Sequence, residues 1–343
     1  MKILIIRLGA VGDVIRTIPV LSYLHKKLKN PEIHWIVEDR AGNLLENHPL
    51  LKKVFIIPRK KYYKIFKILK DIRKENFDIV LDFHGLLKSG LISFFSNCNV
   101  RIGFSKKNSK EFNWIFNNFH CEDLPEKITR IEKNFYLLKV FLDNVKIPDK
   151  LELNLNIEND KIEKIENFLR KLSFKKFIVI NPFVSKAGRY KEWPYEYFGK
   201  LIKIINKSGE IAFIITWGPD EYEKAKKIYD IAKANNVFLA PKTDMKELAV
   251  LFSKIDAVVT CDTGPMHLAS LLNVPVFAIF GPSDVNINRP WGDKNFVVYK
   301  NVGCNPCRNK SCNDLKCLKI LTPEYVANLL TQWLSSVMGF NNL

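Results

Sequence analysis

Lys2–Val20, KILIIRLGAVGDVIRTIPV, sets the architecture. The unbroken aliphatic run Ile3–Ile6, within a strand expected over Lys2–Arg7, suits a strand buried on both faces, the situation in parallel sheets covered by helices. Gly9 and Gly12 then permit a tight strand-to-helix turn, and apolar residues recur at helical spacing over Val14–Leu28. The same rhythm continues through Ile33–Val37, Val54–Ile57, Tyr62–Glu75, Asp78–Asp82 and Leu86–Phe95, which predicts an α/β doubly wound domain.

Between Ser105 and Asp160 the alternation fails, with one helix expected over Glu126–Leu142. It restarts with strands expected at Phe177–Asn181, Ile211–Thr216, Asp256–Thr260 and Val276–Phe280, and helices at Pro194–Lys207, Glu221–Asn235 and Pro265–Leu272. The expected organisation is therefore a first Rossmann-like domain over residues 1–150, a second over 151–322 and a terminal helix over 323–343. Trp333, Leu334, Val337 and Met338 form an apolar stripe on that helix, expected to face a core. Ligands of such domains bind beyond the carboxyl ends of the strands, so functional residues are expected just after strands, with the two domains facing a cleft.

Lys and Arg exceed Asp and Glu by 54 to 36, giving a net charge of +18, which points to an anionic partner. No helix-turn-helix, zinc-finger or RNP pattern accompanies the charge, so nucleic acid is not the expected partner. No secretory leader and no run of 18 apolar residues occurs, and the protein is expected to be cytoplasmic, either soluble or peripheral to a membrane.

Asp13 follows the first glycine turn as either a helix N-cap or a general base at the cleft, kept ionised by the helix N-terminus. The G-x-x-G spacing lacks the G-x-G-x-x-G of dinucleotide sites, although Glu38 and Asp39 end the second strand as a ribose-binding acid would. Asp82–Ser89, DFHGLLKS, again brings polar groups to a glycine turn after a strand. Arg59–Lys67 interleaves cations with aromatic residues and is either a solvated face or a contact for an anionic acceptor. In the second half, Ser185 and Lys191 precede a helix whose first turn Pro194 suits, a convergence fit for a diphosphate. Asp262-Thr263-Gly264 follows another strand, and His267 is either a ligand contact or a core histidine. No D-x-D occurs and the six His are dispersed, so a metal-free mechanism is expected.

Taken in order, G-x-x-G-D-V-I-R-T-I-P (Gly9–Pro19), D-x-x-G-L-x-K-S (Asp82–Ser89), K-E-W-P (Lys191–Pro194), W-G with Glu221 (Trp217, Gly218) and D-T-G-P-M-H (Asp262–His267) resemble the lipopolysaccharide heptosyltransferases of glycosyltransferase family 9. The resemblance spans about Met1–Thr322. It implies a GT-B fold and inverting, metal-independent transfer of L-glycero-D-manno-heptose from ADP-heptose to the Kdo or inner-core region of lipopolysaccharide. A later inner-core acceptor or another sugar donor is the alternative. By the family pattern Asp13 is the catalytic base. Ser185, Lys191, Glu221, Asp262, Thr263, Gly264 and His267 hold the nucleotide sugar, while Gly12, Lys60, Lys61, Lys64, His84 and Lys88 stand on the acceptor side. Domain closure is expected to complete the site. The partner implied is anionic Kdo-lipid A at the inner membrane surface, which makes a cytoplasmic protein peripheral to the inner membrane the expectation, and no cofactor is required.

Cys304, Cys307, Cys312 and Cys317 resemble a cysteine-rich insert of other branches of the family. They are compatible with structural zinc, though without a second C-x-x-C, or with reduced thiols or local disulfides.

Overall fold

The computed structural model describes the chain except residues 60–62, 64, 207–208, 308 and 340–343. The chain forms two compact units, Met1–Asn156 and Ile157–Leu343.

The first unit contains strands β1 (Lys2–Ile6), β2 (Glu32–Glu38), β3 (Lys53–Ile57), β4 (Ile79–Asp82), β5 (Val100–Gly103) and β6 (Phe119–His120), in the spatial order β3-β2-β1-β4-β5-β6. All pairings are parallel. The order reverses between β1 and β4, and Ile6 lies opposite Asp82. The loops leaving these two strands therefore start side by side, at the place where open α/β sheets bind ligands.

The second unit repeats this plan with β7 (Lys176–Asn181), β8 (Ile211–Ile215), β9 (Val237–Leu239), β10 (Ala257–Cys261), β11 (Val276–Ile279) and β12 (Phe296–Val298), in the order β12-β11-β10-β7-β8-β9. Its reversal lies between β7 and β10, where Asn181 is opposite Thr260. Asn181 Nδ2 donates to Thr260 Oγ1 at 3.0 Å and Thr216 Oγ1 donates to Asn181 Oδ1 at 3.0 Å, tying three strand ends together.

Helix limits differ from the sequence expectation for identifiable reasons. Val14–Leu28 is two helices, Val11–Thr17 and Pro19–Lys27, because Pro19 has no N–H with which to continue the ladder. The helix expected over Glu126–Leu142 occupies Arg130–Leu138. Thr129 starts it by reciprocal capping: Glu132 N donates to Thr129 Oγ1 at 3.2 Å, and Thr129 N donates to Glu132 Oε2 at 2.7 Å. Strands β5, β6, β9 and β12, of two to four residues, add to those expected.

The terminal helix Pro323–Met338 is part of the second unit's core. Leu330 and Leu334 are fully buried, and the Trp333 ring lies 5.6 Å from Phe277. Trp193, also fully buried, donates from Nε1 to Leu321 O at 2.8 Å, so the K-E-W-P turn is fastened to the chain entering this helix.

Candidate active site

In the first unit, β1 delivers Arg7 and the Gly9 turn, and Asp13 lies in the first turn of the helix Val11–Thr17. Ala10 is the N-cap, so Asp13 does not cap the helix. Its carboxylate is gripped instead by Arg7 on Oδ2 and Arg16 on Oδ1. Arg7 also donates to Phe83 O, joining the β1 and β4 loops. Burial alone would push the Asp13 carboxyl up; Arg7, Arg16 and Arg130 outweigh it and hold the group far below the usual carboxylate range. The guanidiniums are thus the main ionising influence, in addition to the helix N-terminus expected from the sequence.

A cavity of about 180 Å³ opens beside Asp13, lined by Arg7, Arg16, His84, Lys110, Arg130 and Lys133 among others. Among the described residues, Asp13 is the only carboxylate in that lining. Its shape depends on Asp82, fully buried at the end of β4. His84 N and Gly85 N donate to Asp82 Oδ1 at 2.9 and 3.1 Å, while Ser89 Oγ and Asn113 Nδ2 donate to Oδ2 at 2.9 and 2.6 Å. Gly85, with φ of +71°, lets the chain turn within this cage. Burial pushes the Asp82 carboxyl up and the four hydrogen bonds oppose it, which marks Asp82 as a positioning residue for the His84 turn.

His84 reaches the cavity. Burial, with Arg7 adding repulsion, lowers it to about 4, so the imidazole is neutral near pH 7. Lys133 is lowered to about 8 by burial and by Arg130 and Arg7. It donates to Asn108 O at 3.3 Å and lies 4.0 Å from the Phe104 ring centroid. Gly12 adjoins Asp13 in the helix but does not line the cavity. Lys88 is on the neighbouring helix, with Nζ 2.8 Å from Glu38 Oε1, and does not line the cavity either. Glu38 also meets Arg59 at 3.3 Å, so this carboxylate is engaged by two cations. Lys60, Lys61 and Lys64 lie outside the described residues.

In the second unit, Lys191 Nζ is 2.8 Å from Asp262 Oδ2, joining the loops after β7 and β10 across the reversal point. Ser283, after β11, donates to the same carboxylate oxygen. Ser185 precedes the 3-10 turn Lys186–Lys191, and Gly188 N donates to Ser185 O at 2.7 Å. Thr263 occupies the N-cap position of the helix Gly264–Leu271 without a side-chain capping bond, and the helix's N-terminus starts beside Asp262. His267 is buried one turn further on. Glu221 accepts from Gly218 N at 2.8 Å; burial pushes its carboxyl up. A Cβ on Gly218 would fall 2.9 Å from Glu221 Oε2, so a side chain here would displace that carboxylate.

The four clustered cysteines and the other three are free, and no three cysteine sulfurs lie within 4.8 Å of one another. Cys317 packs in the core of the second unit; burial and the neighbouring Cys304 and Cys307 push its thiol up. Among the described residues, the one grouping of metal-ligand type is Glu32, His34 and Glu75, and Lys2 and Lys53 already pair with its carboxylates.

Sequence reading missed Arg7, Arg16, Arg130 and Lys133. The available signal was compositional: the chain has only 11 Arg among its 54 cations, and Arg7 and Arg16 fall within the first strand–turn–helix. Arg130 and Lys133 come from a helix more than 100 residues away and left no local mark.

The model of glycosyltransferase family 9 (heptosyltransferase) matches residues 65–318. Lipopolysaccharide heptosyltransferase 1 of Campylobacter coli is 32% identical over 295 residues, covering 82% of this chain and 84% of the relative. Lipooligosaccharide heptosyltransferase 2 of Campylobacter jejuni is 27% identical over 332 residues, covering 95% and 97%. Among solved structures, Escherichia coli heptosyltransferase WaaC with ADP has a TM-score of 0.74 at 21% identity, covering 99% of this chain and 100% of that one. The two six-stranded parallel sheets agree with the GT-B class implied by the sequence resemblance. With the family model spanning most of its length and a relative above 30% identity, the chain belongs to glycosyltransferase family 9 and is a glycosyltransferase.

Proposed function

We propose that this protein transfers L-glycero-D-manno-heptose from ADP-heptose, with inversion, to an acidic inner-core sugar of lipopolysaccharide, working at the cytoplasmic face of the inner membrane. The observation that carries the proposal is the cavity in which one ionised carboxylate, Asp13, stands among Arg7, Arg16, Arg130 and Lys133. A Kdo acceptor brings its own carboxylate and hydroxyls together. The cations hold the former while Asp13 takes the proton from an attacking hydroxyl.

The donor belongs to the second unit. Lys191 and the backbone N–H groups opening the helix at Gly264 offer positive charge to the departing diphosphate, so this mechanism does not depend on a bound cation. Lys191 exchanges its Asp262 partner for phosphate, and Ser283 continues to hold Asp262. Ser185, Glu221, Thr263 and His267 complete the nucleotide-sugar contacts in this reading. Lys88 and the Lys60–Lys64 segment serve the acceptor's outer phosphates or sugars. Among the described residues no helix is long and apolar enough to cross a membrane.

The test is ADP release from ADP-heptose with Kdo-lipid A or with its heptosylated product, in the presence of a chelator. Turnover on Kdo-lipid A, reduced about 10²-fold or more in Asp13→Asn, is expected. Turnover only on the heptosylated acceptor moves the enzyme one step later, in line with its similarity to a heptosyltransferase 2. Release that is unaffected by Asp13→Asn refutes the assignment of the base.

A further inference from the structure

The helix Leu87–Phe95 is inside out. Ser89, Gly90 and Ser93 are on its buried side with Ile92, whereas Leu87, Leu91, Phe94 and Phe95 are 37–52% exposed. These four occupy i, i+4, i+7 and i+8, one continuous helical stripe. The polar inner side has its own logic. Ser89 Oγ donates to Asp82, Ser93 Oγ donates to Asn117 Oδ1 at 2.8 Å, and Gly90 admits Phe116, whose Cδ2 would lie 2.8 Å from an added Cβ. Nothing in that packing requires large apolar groups outside.

The adjoining segment extends the stripe. Phe112 and Ile115 are 71% and 57% exposed, and the Phe119 side chain on the edge strand β6 is also exposed. Cations flank these residues: Arg101 lies 5.8 Å from the Phe94 ring centroid, Arg73 5.7 Å from that of Phe95, and Lys106 5.3 Å from that of Trp114. An exposed apolar patch with a cationic border complements an anionic lipid surface, with the rings entering the interface and the cations at headgroup level. The patch also begins where the basic cavity ends: Leu86 and Lys110 line the cavity, and Leu87 N donates to Glu111 Oε2 at 3.2 Å beside them.

We infer that this face, made by Leu87–Phe95 and Phe112–Phe119, seats the protein on an anionic bilayer, with the cavity opening beside the headgroups. The inference draws its biological sense from the reading of a lipid-linked acceptor, but its test requires neither acceptor nor donor.

The full chain is sedimented with sucrose-loaded vesicles of phosphatidylethanolamine and phosphatidylglycerol, and separately with phosphatidylcholine alone. The wild type is expected to pellet with the anionic vesicles and only weakly with phosphatidylcholine. Phe94→Ser/Phe112→Ser should lower anionic-vesicle affinity by about tenfold or more, with the melting temperature and sedimentation coefficient unchanged. Lys106→Glu, at an exposed side chain, should lower it several-fold while leaving the weak phosphatidylcholine binding as it was. Transfer to a soluble, deacylated acceptor should be the same in all three proteins. Equal vesicle binding by wild type and double variant overturns the inference, as does equal wild-type binding to both lipids. A sedimentation coefficient that falls in the double variant overturns it too, by showing that a second copy of the chain covers this face. Failure of transfer together with intact vesicle binding would fall on the proposed reaction alone.

Discussion

In the role of base proposed for it, Asp13 is uncommon because the residues that keep it ionised also weaken it. Two guanidiniums share its two oxygens, so the carboxylate is charged at any working pH but holds a proton poorly. Its depressed value stabilises the folded state fully above the unfolded-chain value of about 3.9, and that stabilisation is lost only as pH falls through the lower folded value. The proposed acidic acceptor would resolve the conflict: each guanidinium turning to it would return basicity to Asp13 as the hydroxyl arrives. Lys133 makes this testable. Burial sets it near 8, below its unfolded value, so its charge costs stability below pH 8 and that cost disappears as pH rises towards the unfolded value. In the free protein the cavity thus loses a positive charge between pH 7 and 9. The KM for the acidic acceptor should climb over that interval while the KM for the donor stays level. Lys133→Gln should show a high acceptor KM throughout, without the climb. A wild-type acceptor KM that is level from pH 7 to 9 would remove Lys133 from acceptor recognition.

At the scale of elements, the helix Arg130–Leu138 shows how a cap can set a site. Thr129 fixes where the helix begins, and the first residue after it, Arg130, reaches the cavity. Further along, Asn134 Nδ2 donates to Arg16 O at 2.9 Å, fastening this helix to the one that carries Asp13. Thr129→Ala should cost about 1 kcal/mol in denaturant unfolding and raise the acceptor KM, with the donor KM unchanged and both losses recovered in Thr129→Ser. Lost stability with an unchanged acceptor KM would show that the cap serves the fold alone. The same helix marks the limit of what the sequence discloses. Eight of the strands were legible because buried parallel strands are continuous apolar runs, and the glycine turns after them placed Asp13, His84 and Asp262 at strand ends. Strands as short as Phe119–His120 carry no such run. The partners of Asp13 were illegible for a different reason: a guanidinium's role here depends on which distant helix packs beside β1 and β4, and periodicity contains no record of that. Pro19, by contrast, was visible in the sequence, and its missing N–H foretells the division of the helix that the apolar pattern runs straight through.

At the scale of the whole chain, one plan is used twice with different chemistry at the reversal points. Both sheets share the same order, and each brings two loops together where that order reverses. In the first unit those loops gather cations around one carboxylate; in the second they join Lys191 to Asp262 and leave the start of the helix Gly264–Leu271 beside them. The second unit also has its own core, built from its sheet, Trp193 and the terminal helix. A protein consisting of residues 157–343 should therefore fold and unfold cooperatively, and it should bind ADP without the first unit. Ligand bound only to the folded state at a hundred times its Kd adds about 2.7 kcal/mol. For a domain of this size that is a rise of roughly 5–10 °C in Tm. Lys191→Ala should remove most of the rise, whatever it does to the Tm without ADP, because the shift reports the phosphate contact rather than the lost ion pair. A fragment that does not fold would show that the second core depends on the first unit. A folded fragment without an ADP-dependent shift would instead detach the nucleotide from Lys191 and Asp262, and the donor assignment would fall while the acid–base reading of Asp13 stood.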